Sequence, residues 1–269
     1  MNFRNEFMVK PGKRVKIADF DAGFAGGFKR KAEAKERLQQ NTRRLAELQH
    51  LLYAEGKRAL LIIIQAMDAG GKDGTVRSVM SGVNPQGCTV VSFKAPTGEE
   101  LAHDFLWRVH KVVPPKGMIG IFNRSHYEDV LIVRVHDLVP KSIWSKRYEQ
   151  INDFERMLAD NDVHILKFFL NISSQEQKKR LRQRLKRPEK NWKVNVADFD
   201  ERKYWDRYMQ AYEAVLARCS TEQAPWFVIP SDKKWFRSLA VSEIIVDTLA
   251  KLDMKFPPPP ADLSKIKIQ

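Results

Sequence analysis

The run Ala59-Leu60-Leu61-Ile62-Ile63-Ile64 leads directly into Gln65-Ala66-Met67-Asp68-Ala69-Gly70-Gly71-Lys72-Asp73-Gly74-Thr75. An unbroken apolar, β-branched stretch of this length reads as a strand buried on both faces. It enters a glycine pair, a lysine and then a helix-compatible segment. Strand, glycine turn and helix start, in that order, make a phosphate-binding loop. Glycines let backbone N–H groups curl around phosphate oxygens, and the helix end adds positive potential. Ala69, Gly70, Gly71, Asp73, Gly74 and Thr75 would form the cradle, with Lys72 on the transferred phosphate. The pattern G-x-x-x-x-G-K-[ST] would want glycine at Ala66 and Ser or Thr at Asp73. A plain strand–turn–helix corner therefore competes with the phosphate loop.

The rest of the chain repeats the alternation. Strands are expected at 59–64, 89–93, 118–122, 163–170 and 226–229. Helices are expected at 29–55, 76–83, 99–112, 125–135, 141–158, 173–187, 199–217 and 232–252. Leu38, Leu45, Leu48 and Leu52 lie on one stripe of the first helix. Strands alternating with helices imply right-handed crossovers and a parallel sheet covered on both faces. The expected fold is an α/β/α sandwich of the P-loop kinase type, with a five-stranded parallel sheet and a basic helical lid. A single domain over 1–269 is expected. Residues 1–28 read as an irregular arm, 173–197 as the lid region and 255–269 as an extended tail. Ligands of such sheets bind beyond the carboxyl ends of the strands. The 68–72 loop and the Asn123-Arg124 corner both fall there.

A formal net charge of +14 on 269 residues favours polyanionic partners, whether nucleic acid, an acidic membrane or a polyphosphorylated substrate. Cys88 and Cys219 have neither metal-type nor redox-type spacing, and no apolar h-region opens the chain. A reduced, cytoplasmic setting is expected, with no membrane span.

Three clusters carry the candidate chemistry. In the first, Asp68 either holds a cation or orients an attacking group, against a reading as a turn residue. Asp73 reads as a first-turn helix acid, and Thr75 as a substitute for the missing metal-ligating hydroxyl. The second cluster is Phe122-Asn123-Arg124-Ser125-His126-Tyr127-Glu128-Asp129. Arg124 points to the same end as Lys72 and suits a phosphate. Ser125 and Glu128 have capping-box spacing, so Glu128 is either a cap or a site residue. No role is assigned to His126. The third cluster runs from Lys178 to Lys193, with Arg180 and Arg184 on one face of a helix ended by Pro188. It is read as a lid closing over phosphates, against a solvated basic face.

Taken together, segments 65–75 and 122–130 and the basic lid with Trp192-Lys193 resemble the polyphosphate kinase 2 family. The likeness extends from about Val9 to the helix after Trp235. It points to the subgroup acting on both nucleoside mono- and diphosphates. The resemblance implies transfer of phosphate from inorganic polyphosphate to AMP and ADP, forming ADP and ATP, with guanine nucleotides as further acceptors. It implies Mg²⁺ as the cation, a homo-oligomer and no nucleic-acid partner. It implies catalytic roles for Asp68 and Lys72, phosphate handling by Arg124, and polyphosphate handling by Arg180 and Arg184. Many members have Asp where this chain has Asn123, which shifts the metal toward Asp68. The competing functions are an ATP-dependent nucleoside monophosphate kinase and a basic nucleic-acid-binding protein.

Overall fold

The computed structural model describes residues 1–28 and 30–265. Five parallel strands form one sheet: β1 (Ala59–Gln65), β2 (Cys88–Ser92), β3 (Ile119–Asn123), β4 (Val163–Asn171) and β5 (Trp226–Pro230), in the order β2-β3-β1-β4-β5. The helices of eight or more residues are α1 (Lys31–Glu55), α2 (Lys72–Val79), α3 (Arg147–Asp160), α4 (Ser174–Lys186), α5 (Trp205–Arg218) and α6 (Lys234–Ala250).

The two-residue period of β1 explains the layering. Leu60, Ile62 and Ile64 point to one face, where Leu45, Leu48 and Leu52 of α1 and Phe236, Leu239 and Ile244 of α6 cover them. Leu61 and Ile63 point to the other, under Ile151 and Leu158 of α3 and Ala211 and Val215 of α5. All seven residues of β1 are buried, as a central parallel strand requires. Each such side chain contributes roughly 1.5–3 kcal/mol by leaving water.

Several boundaries differ from the sequence expectation. Residues 1–28 are not simply irregular. A short helix, Phe3–Phe7, buries Phe3 and Phe7 against Phe236, and Met8 bridges to Phe227. α2 starts at Lys72 rather than 76, because Gly71 is already in the left-handed conformation that ends the loop. The 99–112 helix is two short pieces, Gly98–Leu101 and Trp107–His110, separated where Asp104 accepts from Leu106 N at 2.9 Å. The 125–135 helix is a 3₁₀ turn, His126–Val130, followed by Ile132–Val135, with non-helical Leu131 between them. The expected start of α1 at 29, and residues 266–269 of the tail, lie outside the described residues. Phe256 at the start of the tail packs on His50 of α1, and Pro257 to Pro260 are exposed. No helix among the described residues is long and apolar enough to cross a membrane.

Candidate active site

The loop between β1 and α2 is shaped by its glycines. A Cβ on Gly70 would lie 2.6 Å from Ala66 Cβ, and one on Gly71 would lie 1.9 Å from Arg237 Nη1. Gly71 also has φ 106°, a conformation that costs other residues dearly. The loop closes with a Gly70 N–H bond to Met67 O at 2.9 Å. No side chain caps the start of α2, and its first residues, Lys72, Asp73 and Gly74, line the cavity ahead of it.

Parallel pairing then sets the second cluster beside the first. Ile64 of β1 is in register with Asn123 of β3, and Arg124 N bonds to Ile64 O at 3.1 Å. Arg124 itself has φ 62°. That backbone turn sends its guanidinium to Asp68, at 2.8 Å from Oδ1. Asn123 donates to Asp73 Oδ1 at 2.8 Å. Lys72 folds back and donates to Ala66 O at 2.9 Å. Burial, and next the Arg124 cation, hold its ammonium below the usual lysine range. Arg124 is shifted upward: burial opposes this, but Glu128 and Asp68 outweigh it.

Behind Arg124, a buried network holds the turn. Lys167 Nζ donates to Glu155 Oε2 at 2.5 Å and to Tyr127 OH at 2.9 Å. Tyr127 OH donates to Glu155 Oε1 at 2.8 Å, and the fully buried His126 ring lies 3.3 Å from the same oxygen. Removing one partner of such a pair typically costs about 3–5 kcal/mol. Lys167, inside an apolar strand, carried no legible signal in the sequence.

Three expectations change here. Ser125 and Glu128 do not form a capping box. With its amide oxygen toward Ser125, Gln65 accepts from Ser125 N and Oγ at 3.2 Å and donates to Glu128 Oε1 at 3.0 Å. Ser125 keeps the cap, its hydroxyl accepting from Tyr127 N at 3.2 Å, while Gln65 takes the bond to the Ser125 amide that a capping box would give to Glu128, and the Glu128 carboxylate lines a pocket instead. Thr75 does not replace the missing metal-ligating hydroxyl. It is fully buried and donates to Gly71 O at 3.0 Å, one helical turn back. Arg180, expected with Arg184 on one face of the lid helix, is largely buried against the loop. It is 7% exposed and bonds Ala69 O and Gly70 O at 3.1 and 3.2 Å, and Ser231 O and Asp232 O at 2.6 and 2.9 Å. Its Nε pairs with Glu176 at 3.0 Å. Arg184, one turn on, donates to Asp198 Oδ2 at 2.7 Å and Lys193 O at 3.2 Å, and so ties α4 to the segment after it.

Two cavities meet at this corner. The larger, about 760 Å³, is lined by ten basic side chains, Lys72, Arg124, Arg180 and Arg184 among them, against two acids, Asp68 and Asp73. The smaller, about 160 Å³, is lined by Met67, Leu131, Glu128, Asp198, Tyr208 and Tyr212 among others. Asp68 and Arg124 are the residues common to both walls. Burial raises the Glu128 carboxyl above the usual range, although Arg124 and Lys72 oppose it. Tyr208, Tyr212, Asp198, Lys234 and Arg237 were missed from sequence. For Lys234 and Arg237 a signal existed, since they follow a strand end as the phosphate loop does.

A cation could be held at Asp68. One carboxylate oxygen is taken by Arg124, and the side chain remains 22% exposed. Among the described residues no three acidic, His or Cys side chains converge. A cation here would draw its other ligands from phosphate oxygens and water, the usual preference of Mg²⁺.

Comparison with known proteins gives a consistent result. The family model described as Polyphosphate kinase 2 (PPK2) matches residues 28–257. An AMP/ADP-polyphosphate phosphotransferase of Meiothermus ruber is 53% identical over 268 residues, covering 98% of this chain and 99% of that one. An ADP-polyphosphate phosphotransferase of Rhodopseudomonas palustris is 47% identical, covering 94% and 91%. The crystal structure of polyphosphate kinase 2 from Arthrobacter aurescens superimposes with a TM-score of 0.94 at 44% identity, covering 98% of this chain and 94% of that one.

Proposed function

The chain belongs to the polyphosphate kinase 2 family, and we propose that it transfers phosphate from inorganic polyphosphate to AMP and ADP, forming ADP and ATP. The observation that carries this reading is the shared wall. A large basic cavity and a small, partly aromatic pocket touch through Asp68 and Arg124. The first suits a linear polyanion and the second a nucleotide acceptor, so the transferred phosphoryl group crosses at that wall.

Such a group has little need of covalent help; it needs alignment and charge neutralisation. Lys72 supplies a point charge at the start of α2. Arg124, locked on Asp68, is aimed before any ligand arrives, which is the condition under which electrostatic stabilisation works best. Arg180 holds the loop carbonyls so that the loop amides face outward. Phosphotransfer of this kind uses a divalent cation, and we assign Mg²⁺ to Asp68 together with phosphate oxygens; bound there, it would neutralise charge developing on the phosphates. Guanine nucleotides as further acceptors, a homo-oligomeric state, a single-domain organisation and a cytoplasmic setting, in keeping with two free cysteines, belong to the same proposal.

The test is an assay with polyphosphate and AMP or ADP, and no ATP. Formation of ADP and ATP is expected. Activity only when ATP is supplied would replace this reading with a nucleoside monophosphate kinase. RNA binding that polyphosphate does not displace, without phosphotransfer, would replace it with a nucleic-acid-binding protein.

A further inference from the structure

The sheet has two edges, β2 and β5, and the chain treats them differently. The N-terminal arm closes β5. Met8 bridges Phe227 in antiparallel sense, Val9 N–H bonds Trp226 O at 2.8 Å, and the strand ends on Pro230, which has no N–H to give. No other strand among the described residues lies along β2. Phe93 N–H, just past its end, bonds Asn123 O of β3 at 3.1 Å. Alternate residues of a strand turn their backbone groups to opposite sides, so Thr89 and Val91 also face β3. Val90 and Ser92 turn theirs outward, away from β3. Cys88 does the same with its carbonyl, while its N–H bonds Pro85 O. Val90 is 53% exposed, and Thr89 and Ser92 are exposed beside it.

Unpaired N–H and C=O groups recruit further strands, and proteins blunt an open edge with lysine, proline or a bulge. Cys88–Ser92 holds neither charge nor proline. It lies within residues 78–93, the longest run without Asp, Glu, Lys, Arg or His in a chain that is 30% charged and carries a net +14. Burial explains the uncharged runs at β1, β3 and β5. The 78–93 run lies largely on the surface, so burial does not explain it.

The absence of charge selects the occupant. A foreign strand drawn to so basic a protein would be acidic, and would need basic residues along the edge to meet it. A second copy carries the same +14 and approaches best where neither surface presents charge. Antiparallel pairing about a two-fold axis at Val90 sets Val90 on Val90, Ser92 on Cys88 and Lys94 on Gln86, so no like charges stand opposite each other. Because the backbone groups of Val90 point outward, the two copies of this residue exchange both hydrogen bonds.

We propose that two copies of this chain pair through their β2 edges, antiparallel about Val90, joining two five-stranded sheets into one. The contact is isologous, and with β5 closed by the arm it stops at a pair instead of growing into a fibre. It gives the homo-oligomer proposed above its surface, and rests on that part of the proposed function alone.

The experiment compares wild type, Val90→Lys and Val90→Cys. Sedimentation equilibrium over a range of concentrations reads association, and wild type is expected at an even multiple of the chain mass. Val90→Lys sets two ammonium groups side by side at the axis and removes the apolar pair, so the dissociation constant of this step should rise about tenfold or more. Val90→Cys, with copper phenanthroline as the oxidant, should give a covalent dimer on a non-reducing gel, because hydrogen-bonded antiparallel partners have Cα atoms about 5.5 Å apart, within disulfide range. Wild type should not, since the pairing sets Cys88 opposite Ser92 and Cys219 is buried. The cross-link keeps the test open if Val90→Lys folds poorly. Monomeric wild type would overturn the pairing and leave the edge to a strand of another protein. Oligomeric wild type whose association Val90→Lys leaves unchanged would overturn this surface and keep the homo-oligomer. Failure of Val90→Cys to cross-link would overturn the axis at Val90. Phosphotransfer from polyphosphate is read on the same samples: wild type that associates through Val90 yet transfers nothing would keep the pairing and overturn the proposed activity.

Discussion

Replacing Arg180 with alanine should unfold the protein more readily, not merely weaken its hold on a polyanion. The side chain is 7% exposed and makes five hydrogen bonds, to Glu176, Ala69 O, Gly70 O, Ser231 O and Asp232 O. Hydrogen bonds to a charged group contribute about 1.5–3 kcal/mol each. Their plain sum overstates the loss, because water can enter the truncated site and Glu176, 18% exposed, can be resolvated. Removing one partner of a buried charged network costs about 3–5 kcal/mol, and that is the expected loss. For a chain of this size it lowers Tm by on the order of 10 °C. Arg180→Lys should recover little, since one ammonium cannot replace a fork that reaches two loop carbonyls and two strand-end carbonyls at once. Arg184→Ala should cost only about 1–2 kcal/mol, because its main partner is the single half-buried Asp198. Thermal and urea melts of the three variants provide the check. An Arg180→Ala melt within 2 °C of wild type would show that the loop does not depend on this arginine.

Asp68→Asn and Lys72→Ala should each lower turnover about 10²-fold or more with the melt little changed, since the proposed function places both where charge is neutralised in transfer; activity within a few-fold of wild type in either would remove that residue from the site. Gly71→Ala should abolish activity and destabilise by about 1–3 kcal/mol, through a positive φ and a clash with Arg237; a melt and an assay matching wild type would refute the stated loop geometry. Glu128→Gln tests a carboxyl whose folded-state pKa lies above its unfolded value. In that window the folded chain binds more protons, so wild-type stability falls as pH rises through it. The variant should therefore melt higher than wild type at neutral pH, with the gap closing below the ordinary carboxylate pKa. It should also alter the ratio of AMP to ADP phosphorylation; a lowered melt with that ratio untouched would return Glu128 to a capping role.

The sheet and the loop were legible because their causes are local. A six-residue apolar run, a glycine pair and a lysine define strand, turn and helix start through backbone sterics and burial alone. The alternation of such segments then leaves few ways to arrange the strands. Boundaries were less legible where a side chain captured a backbone amide, as Asp104 does with Leu106 N and Gln65 with Ser125 N. Nothing in the linear spacing of Ser125 and Glu128 could show that Gln65, sixty residues earlier, takes the bond to the Ser125 amide in place of Glu128.

What the chain determined by itself was therefore the fold class, the glycine turn between strand and helix and the basic character of its surroundings. Tertiary structure alone decided which charges are answered and which are not. Arg180 and Arg237 look alike in sequence, as members of basic stretches. Packing gives Arg180 a carboxylate and four carbonyls, and leaves Arg237 beside a glycine with its Nε unpartnered. The difference is physical: burial and hydrogen-bond geometry depend on residues far apart in sequence, and a charge has a fixed consequence only once its surroundings are known.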